Sequence, residues 1–264
     1  MLKSFAGGRL FGATWGVAPP TVLALHGWQR THLDFAGVFE PPAFSDTHGA
    51  LALDLFGFGA TPAPPEAWGS EGYAEHLLPL LDGDELGRPL TVVGHSFGGR
   101  VAVRLARLAP DRIDRLVLTG VPLLDREGRR STPALRYRLG RRLHRMGLVG
   151  DQRMEALRQR YGSPDYRAAS GVVRDVFVAL MTETYGADMA ATTCPVDLVW
   201  GADDDQVPLE VAERALELFP DADLTVLPGV GHLTPTQAPD ALRAAILTRP
   251  PGATAPPAPA TSPL

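Results

Sequence analysis

The chain has 264 residues, 45% of them hydrophobic and 21% charged, with a formal net charge of -5 and one cysteine, Cys194. A chain of this length and polarity buries a sizeable core and reads as one folded unit with room for an insertion. One cysteine excludes an internal disulfide and argues against a cysteine metal site, and no apolar run reaches the ~20 residues of a membrane helix.

Taken from the amino terminus, MLKSFAGGRLFGATWG carries one lysine and no apolar stretch of signal-peptide length, so a cytoplasmic location is expected. TVLAL (21–25) is the first strand-length apolar run and leads into LHGW (25–28). ALALD (50–54) is the second and leads into DLFGFGAT (54–61). An amphipathic helical pattern follows at 73–81, then LTVVG (90–94), a helical pattern at 99–109 and RLVLTG (115–120). Beyond an interruption come VDLVWG (196–201), a helical pattern at 208–219 and LTVLPG (224–229). The six apolar runs are expected to be fully buried parallel strands. Their alternation with amphipathic stretches predicts a mostly parallel sheet with helices on both faces and a site at the carboxyl ends of its strands.

The interruption has no buried-strand run, only helical patterns at 134–146, 152–161 and 169–185, and is expected to form a helical cap over 122–190. The core is then 1–121 and 191–249. Between Arg126 and Arg145, arginines 126, 129, 130, 136, 138, 141, 142 and 145 stand with a single acid, Glu127, which suggests either a solvated face or a rim for an anionic substrate or an acidic carrier. The final PPGATAPPAPATSPL (250–264) has no means of packing a core and reads as a disordered tail. No nucleic-acid recognition motif is present.

The stretch GHSFGG (94–99) surrounds Ser96 with glycines between a strand and a helix. A serine hydroxyl attacks a carbonyl only if it stands clear of the backbone and a base takes its proton. In a G-x-S-x-G turn the glycines at 94 and 98 supply that clearance. The spacing lacks the dinucleotide G-x-G-x-x-G pattern and the lysine of a phosphate-binding loop. In this architecture the acid and base should follow in the order Asp, His on later strand-end loops. The loop ADDDQVP offers Asp203, Asp204 and Asp205; the loop VGH offers His232. Two backbone amides should hold the oxyanion: Phe97, next to the serine, and Trp28 in LHGW. Cys194 reads as a packed residue, and His32, His48, His76 and His144 show no metal-ligand spacing, so no metal or cofactor is expected.

LHGW, DLFGFGAT, GHSFGG, WGADDDQVP and GVGH, in this order, resemble the α/β-hydrolase family in its cap-bearing branch with a His-Gly oxyanion loop, over about residues 10–247. The resemblance implies an α/β-hydrolase fold with Ser96 as nucleophile. It places the acid three residues beyond the strand-end glycine, selecting Asp204 over its neighbours, with Asp125 as the alternative known from some relatives. The remaining residues take structural readings: His26 supports the oxyanion turn by hydrogen bonding, Asp54 and the glycines after it shape a loop near the pocket, and His95 flanks the serine without a direct catalytic part.

The expected function is a serine hydrolase of a small carboxylic ester or thioester, anionic or carrier-bound substrates included, using Ser96, His232 and Asp204 with Trp28 and Phe97 as oxyanion donors. The same fold hosts lyases, C–C bond hydrolases, cofactor-free perhydrolases and ligand receptors with slow hydrolysis. Acyl group, leaving group and oligomeric state are not encoded legibly.

Overall fold

The computed structural model describes residues 2–124, 142–144, 146–161 and 163–248. Among them, eight strands form one sheet: β1 (Leu2–Phe5), β2 (Leu10–Gly16), β3 (Val22–Leu25), β4 (Gly49–Asp54), β5 (Thr91–His95), β6 (Arg115–Thr119), β7 (Val196–Gly201) and β8 (Ala222–Leu227). Their order is β1-β2-β4-β3-β5-β6-β7-β8. β1 and β2 pair antiparallel, β2 lies antiparallel to β4, and every pairing from β4 to β8 is parallel.

The period of two along each strand divides the core between the two faces of the sheet. Leu23, Leu25, Leu51, Leu53, Val92 and Leu116 pack with the helices Ser70–Asp82, Phe97–Leu108 and Leu209–Leu216 on one side. Val22, Ala24, Ala50, Ala52, Val93 and Val117 meet Phe35, Phe39 and Phe44 and the helix Pro239–Thr248 on the other. With both faces covered, β3 to β6 have no exposed position, which is why they read as continuous apolar runs. Arg115 is the one basic side chain besides His95 in these strands. Its buried guanidinium donates to Asp197 Oδ2 at 2.6 Å and to the carbonyls of Ala245 and Ile246 at 2.7 and 2.8 Å. The charge is thereby neutralised, and it ties β6 and β7 to the last helix.

β8 corrects one expectation. It is an edge strand, paired with β7 alone, and no residue of it is fully buried. The antiparallel β1–β2 pair was not expected at all.

Between β6 and β7 the structure describes the helices Asp151–Tyr161, Pro164–Ala168, Gly171–Leu180 and Gly186–Ala190. Most of the expected helix at 134–146 and the tail at 250–264 lie outside the described residues, as do all the clustered arginines except Arg142, which is exposed. Arg100, Arg104 and Arg107, spaced to share one face of the helix Phe97–Leu108, hold this insertion to the core. Arg100 donates to the carbonyls of Pro122 at 3.2 Å and Leu180 at 3.0 Å, bridging the start of the insertion to its last long helix. Arg104 and Arg107 share the buried carboxylate of Asp188. Glu183 accepts from the amide of Ser70 at 2.8 Å and its hydroxyl at 2.6 Å.

Candidate active site

Ser96 sits where β5 ends and the helix Phe97–Leu108 begins, with φ 49° and ψ -112°, a left-handed conformation uncommon for a side-chain-bearing residue. Crowding around the turn explains its glycines. A Cβ on Gly98 would lie 2.1 Å from the carbonyl oxygen of Leu25, and one on Gly94 would lie 2.5 Å from Gly99 Cα. The turn is pinned by the Ser96 amide, which donates to the Thr119 carbonyl at 2.9 Å.

From the loop after β8, His232 brings Nε2 to 3.1 Å from Ser96 Oγ. From the loop after β7, Asp204 places Oδ2 2.8 Å from His232 Nδ1. The other oxygen of Asp204 accepts from the amides of Gln206 and Val207 at 2.9 and 2.7 Å. A carboxylate only accepts, so Nδ1 carries the proton of the neutral imidazole and Nε2 faces the hydroxyl as an acceptor. Asp204 is 4% exposed and His232 9%, whereas Asp203 and Asp205 are open to solvent. Asp125 lies outside the described residues. Gly120 closes the far side: a Cβ there would stand 3.0 Å from His232 Nδ1 and 3.3 Å from Asp204 Oδ2.

The segment bearing Trp28 runs against the same turn. Gly27 is glycine because of this approach and not because of a left-handed φ; its Cβ would lie 2.8 Å from His95 Nδ1 and 3.4 Å from Ser96 Cβ. Among the described residues the amides of Trp28 and Phe97 donate to no partner. The Phe97 amide opens its helix, where no intrahelical acceptor exists. His26 fixes the loop from behind: its Nδ1 donates to the Gly27 carbonyl at 2.7 Å and its Nε2 accepts from the Leu55 amide at 2.9 Å. Burial pushes the His26 imidazole down to about 4, so it holds this geometry as a neutral ring. Asp54 accepts from the amides of His32 and Ala60 and from His32 Nδ1, closing the loop after β4.

Aromatic rings wall the site. Trp28 meets Phe58, Phe97 and Phe177 at centroid distances of 5.0, 5.5 and 5.3 Å, the last from the insertion. Phe58 also lines a cavity of about 340 Å³ that opens between Gln29, Arg30 and Gly57 of the core and Ser170 and Val173 of the insertion. Cys194 is buried and its thiol is pushed up to about 11 by burial, the state of a packed residue. Sequence spacing gave no sign that His95 reaches the loop bearing His232: its Nε2 donates to the main-chain carbonyl of His232 at 2.9 Å, across 137 positions.

Strand order, insertion and a serine at the strand-to-helix turn together define an α/β enzyme of the hydrolase type. The model of the alpha/beta hydrolase family matches residues 22–245, and the chain belongs to that family. It is similar to 2-hydroxy-6-oxo-2,4-heptadienoate hydrolase of Pseudomonas putida, 28% identical over 206 residues covering 72% of this chain and 74% of the relative. It is also similar to esterase YbfF of Escherichia coli, 25% identical over 226 residues covering 81% of this chain and 87% of that one. A solved thermophilic esterase from Thermogutta terrifontis shares the fold with a TM-score of 0.67 and 24% identity, over 92% of this chain and 93% of its own. Among the described residues no helix is long and apolar enough to cross a membrane.

Proposed function

We propose that this enzyme hydrolyses a small carboxylic ester or thioester through an acyl-enzyme on Ser96. The observation that carries the reading is the hydrogen-bonded chain from Ser96 Oγ through both nitrogens of His232 to Asp204. In the first half-reaction Ser96 Oγ bonds to the substrate carbonyl carbon while its proton passes to His232 Nε2. The amides of Trp28 and Phe97 receive the oxyanion. Collapse breaks the bond to the leaving alkoxide or thiolate, which takes the proton from His232. Water then repeats the sequence on the acyl carbon, with His232 as base, and the acid leaves. Asp204 fixes the imidazole tautomer and stabilises the imidazolium formed in each half.

The similarity to a hydrolase named for a 6-oxo dienoate, a substrate with no ester, supports a second reading in which the same serine and histidine act at a ketone and a carbon–carbon bond is broken. Turnover of p-nitrophenyl esters and thioesters of graded chain length, beside a dienoate ketone, separates the two. The ester reading expects ester turnover that Ser96→Ala lowers by several orders of magnitude with the melting temperature kept. A loss under about tenfold overturns Ser96 as nucleophile, and turnover confined to the ketone overturns the ester reading.

A further inference from the structure

We infer that His95 is a positioning residue that sets the base loop and the oxyanion loop against the nucleophile. The inference rests on the hydrolase reading of Ser96 and His232. His95 is 1% exposed, ends β5 and immediately precedes Ser96. Its Nε2 donates to the main-chain oxygen of His232 at 2.9 Å, and the two imidazoles lie 5.1 Å apart, tilted by 50°. A carbonyl oxygen only accepts, so the proton of His95 resides on Nε2 and Nδ1 is bare.

That second nitrogen is buried and has no partner among the described residues. It faces Gly27, where any Cβ would come within 2.8 Å of it. One ring therefore touches three segments: the turn bearing Ser96, the loop bearing His232 and the residue preceding Trp28. An unpaired buried ring nitrogen is costly, and an apolar residue of similar size would fill the space without that cost. What an apolar residue lacks is the N–H aimed at the His232 carbonyl. Burial, aided by the nearby His232, pushes His95 down to about 4, so this donor persists in one tautomer through the neutral range. The base is carried on a loop whose own carbonyl is held by the residue next to the nucleophile, which registers Nε2 of His232 to Ser96 Oγ. A misplacement of ~1 Å at such a contact costs on the order of 10²-fold in rate.

Three substitutions separate positioning from packing. In His95→Gln the side-chain amide nitrogen lies the same number of bonds from Cβ as Nε2 and keeps the donor. His95→Met fills similar space with no donor. His95→Asn keeps a polar group but stops at the depth of Nδ1. Each is measured by kcat and KM on a p-nitrophenyl ester, by the rate of covalent labelling with a fluorophosphonate, and by melting temperature. The expected result is a loss of at least about tenfold in kcat and in labelling rate for Met and Asn, with KM within about threefold, and recovery to within about threefold of wild type for Gln. Equal rates for Met and Gln, or losses that track melting temperature across the three, overturn the inference. If Met fails to fold, the Asn and Gln pair decides alone. Wild-type protein that resists fluorophosphonate overturns the hydrolase reading instead, so the two failures are distinct.

Discussion

Asp204 and His232 meet through one carboxylate oxygen only, because the other is already committed to the amides of Gln206 and Val207. That asymmetry fixes what Asp204→Asn would do. The amide oxygen of the new side chain must take the position facing the two N–H groups, leaving its NH₂ pointed at His232 Nδ1. His232 would then accept at Nδ1 and carry its proton on Nε2, the wrong tautomer for taking a proton from Ser96. The expected fall in kcat is about 10⁴-fold, the scale of this change in serine protease triads. Asp203→Asn and Asp205→Asn, at exposed positions, should stay within about threefold. Ranking the three variants by kcat checks the assignment, and a severe defect at Asp203 or Asp205 alone would move the acid by one position.

Gly98→Ala should lower both activity and melting temperature. Its methyl would lie 2.1 Å from a main-chain oxygen of Leu25, in a turn also held by the Gly98 amide donating to His26. Neither backbone segment can yield without moving the Trp28 loop or Ser96. Gly186→Ala, with open space around its Cβ, is the matched control and should leave kcat unchanged. Thermal melts and ester kinetics on the pair check this.

Acid should destabilise the fold ahead of general carboxylate protonation. His26 and His95 are both pushed from 6.5 to about 4, chiefly by burial. Between those values the unfolded chain binds a proton at each site and the folded chain does not, so stability rises with pH through this window and is lost as pH falls through it. Each group contributes a slope of about 1.4 kcal/mol per pH unit at most, and the effect levels off below about pH 4. Denaturant unfolding of wild type and His95→Gln from pH 7 to 4 should show a slope shallower by about one proton in the variant. Parallel curves would contradict a neutral buried His95.

Arg100→Met should loosen the insertion without touching Ser96. It deletes charged donors to Pro122 and Leu180, and hydrogen bonds to charged groups contribute about 1.5–3 kcal/mol each. Limited proteolysis should cut between residues 122 and 190 faster than in wild type, while fluorophosphonate still labels Ser96. Unchanged cleavage would mean that Arg104, Arg107 and Glu183 suffice to hold the segment.

The chemistry-bearing loops were legible because their signals are local. A glycine-flanked serine after LTVVG, three aspartates after VDLVWG and a histidine after LTVLPG each announce a strand end. What joins them is not local. The hydrogen bond from His95 to the His232 carbonyl spans 137 positions and involves a main-chain atom that no side-chain pattern encodes. β2 escaped notice because LFGATWG mixes glycine, threonine and partly exposed positions, as suits a strand pairing antiparallel near the edge of the sheet. LTVLPG looks as apolar as the central strands, yet β8 is the last strand on its side, so exposure there is set by position in the sheet and not by composition. The arginines of the helix after Ser96 find partners far along the chain, Arg104 and Arg107 at Asp188 and Arg107 also at Glu71, and no local pattern announces those pairings.

The crowding at the turn bearing Ser96 has a consequence for laboratory evolution of this scaffold. Gly94, Gly98 and Gly120 sit where an added methyl would meet backbone or the Asp204–His232 pair, so these positions tolerate almost no variation. Phe58 and Phe177, by contrast, press on Trp28 through side-chain contacts alone. Randomising Phe58 and Phe177 while freezing the glycines should therefore yield libraries in which substrate scope drifts and the reactive machinery is inherited intact.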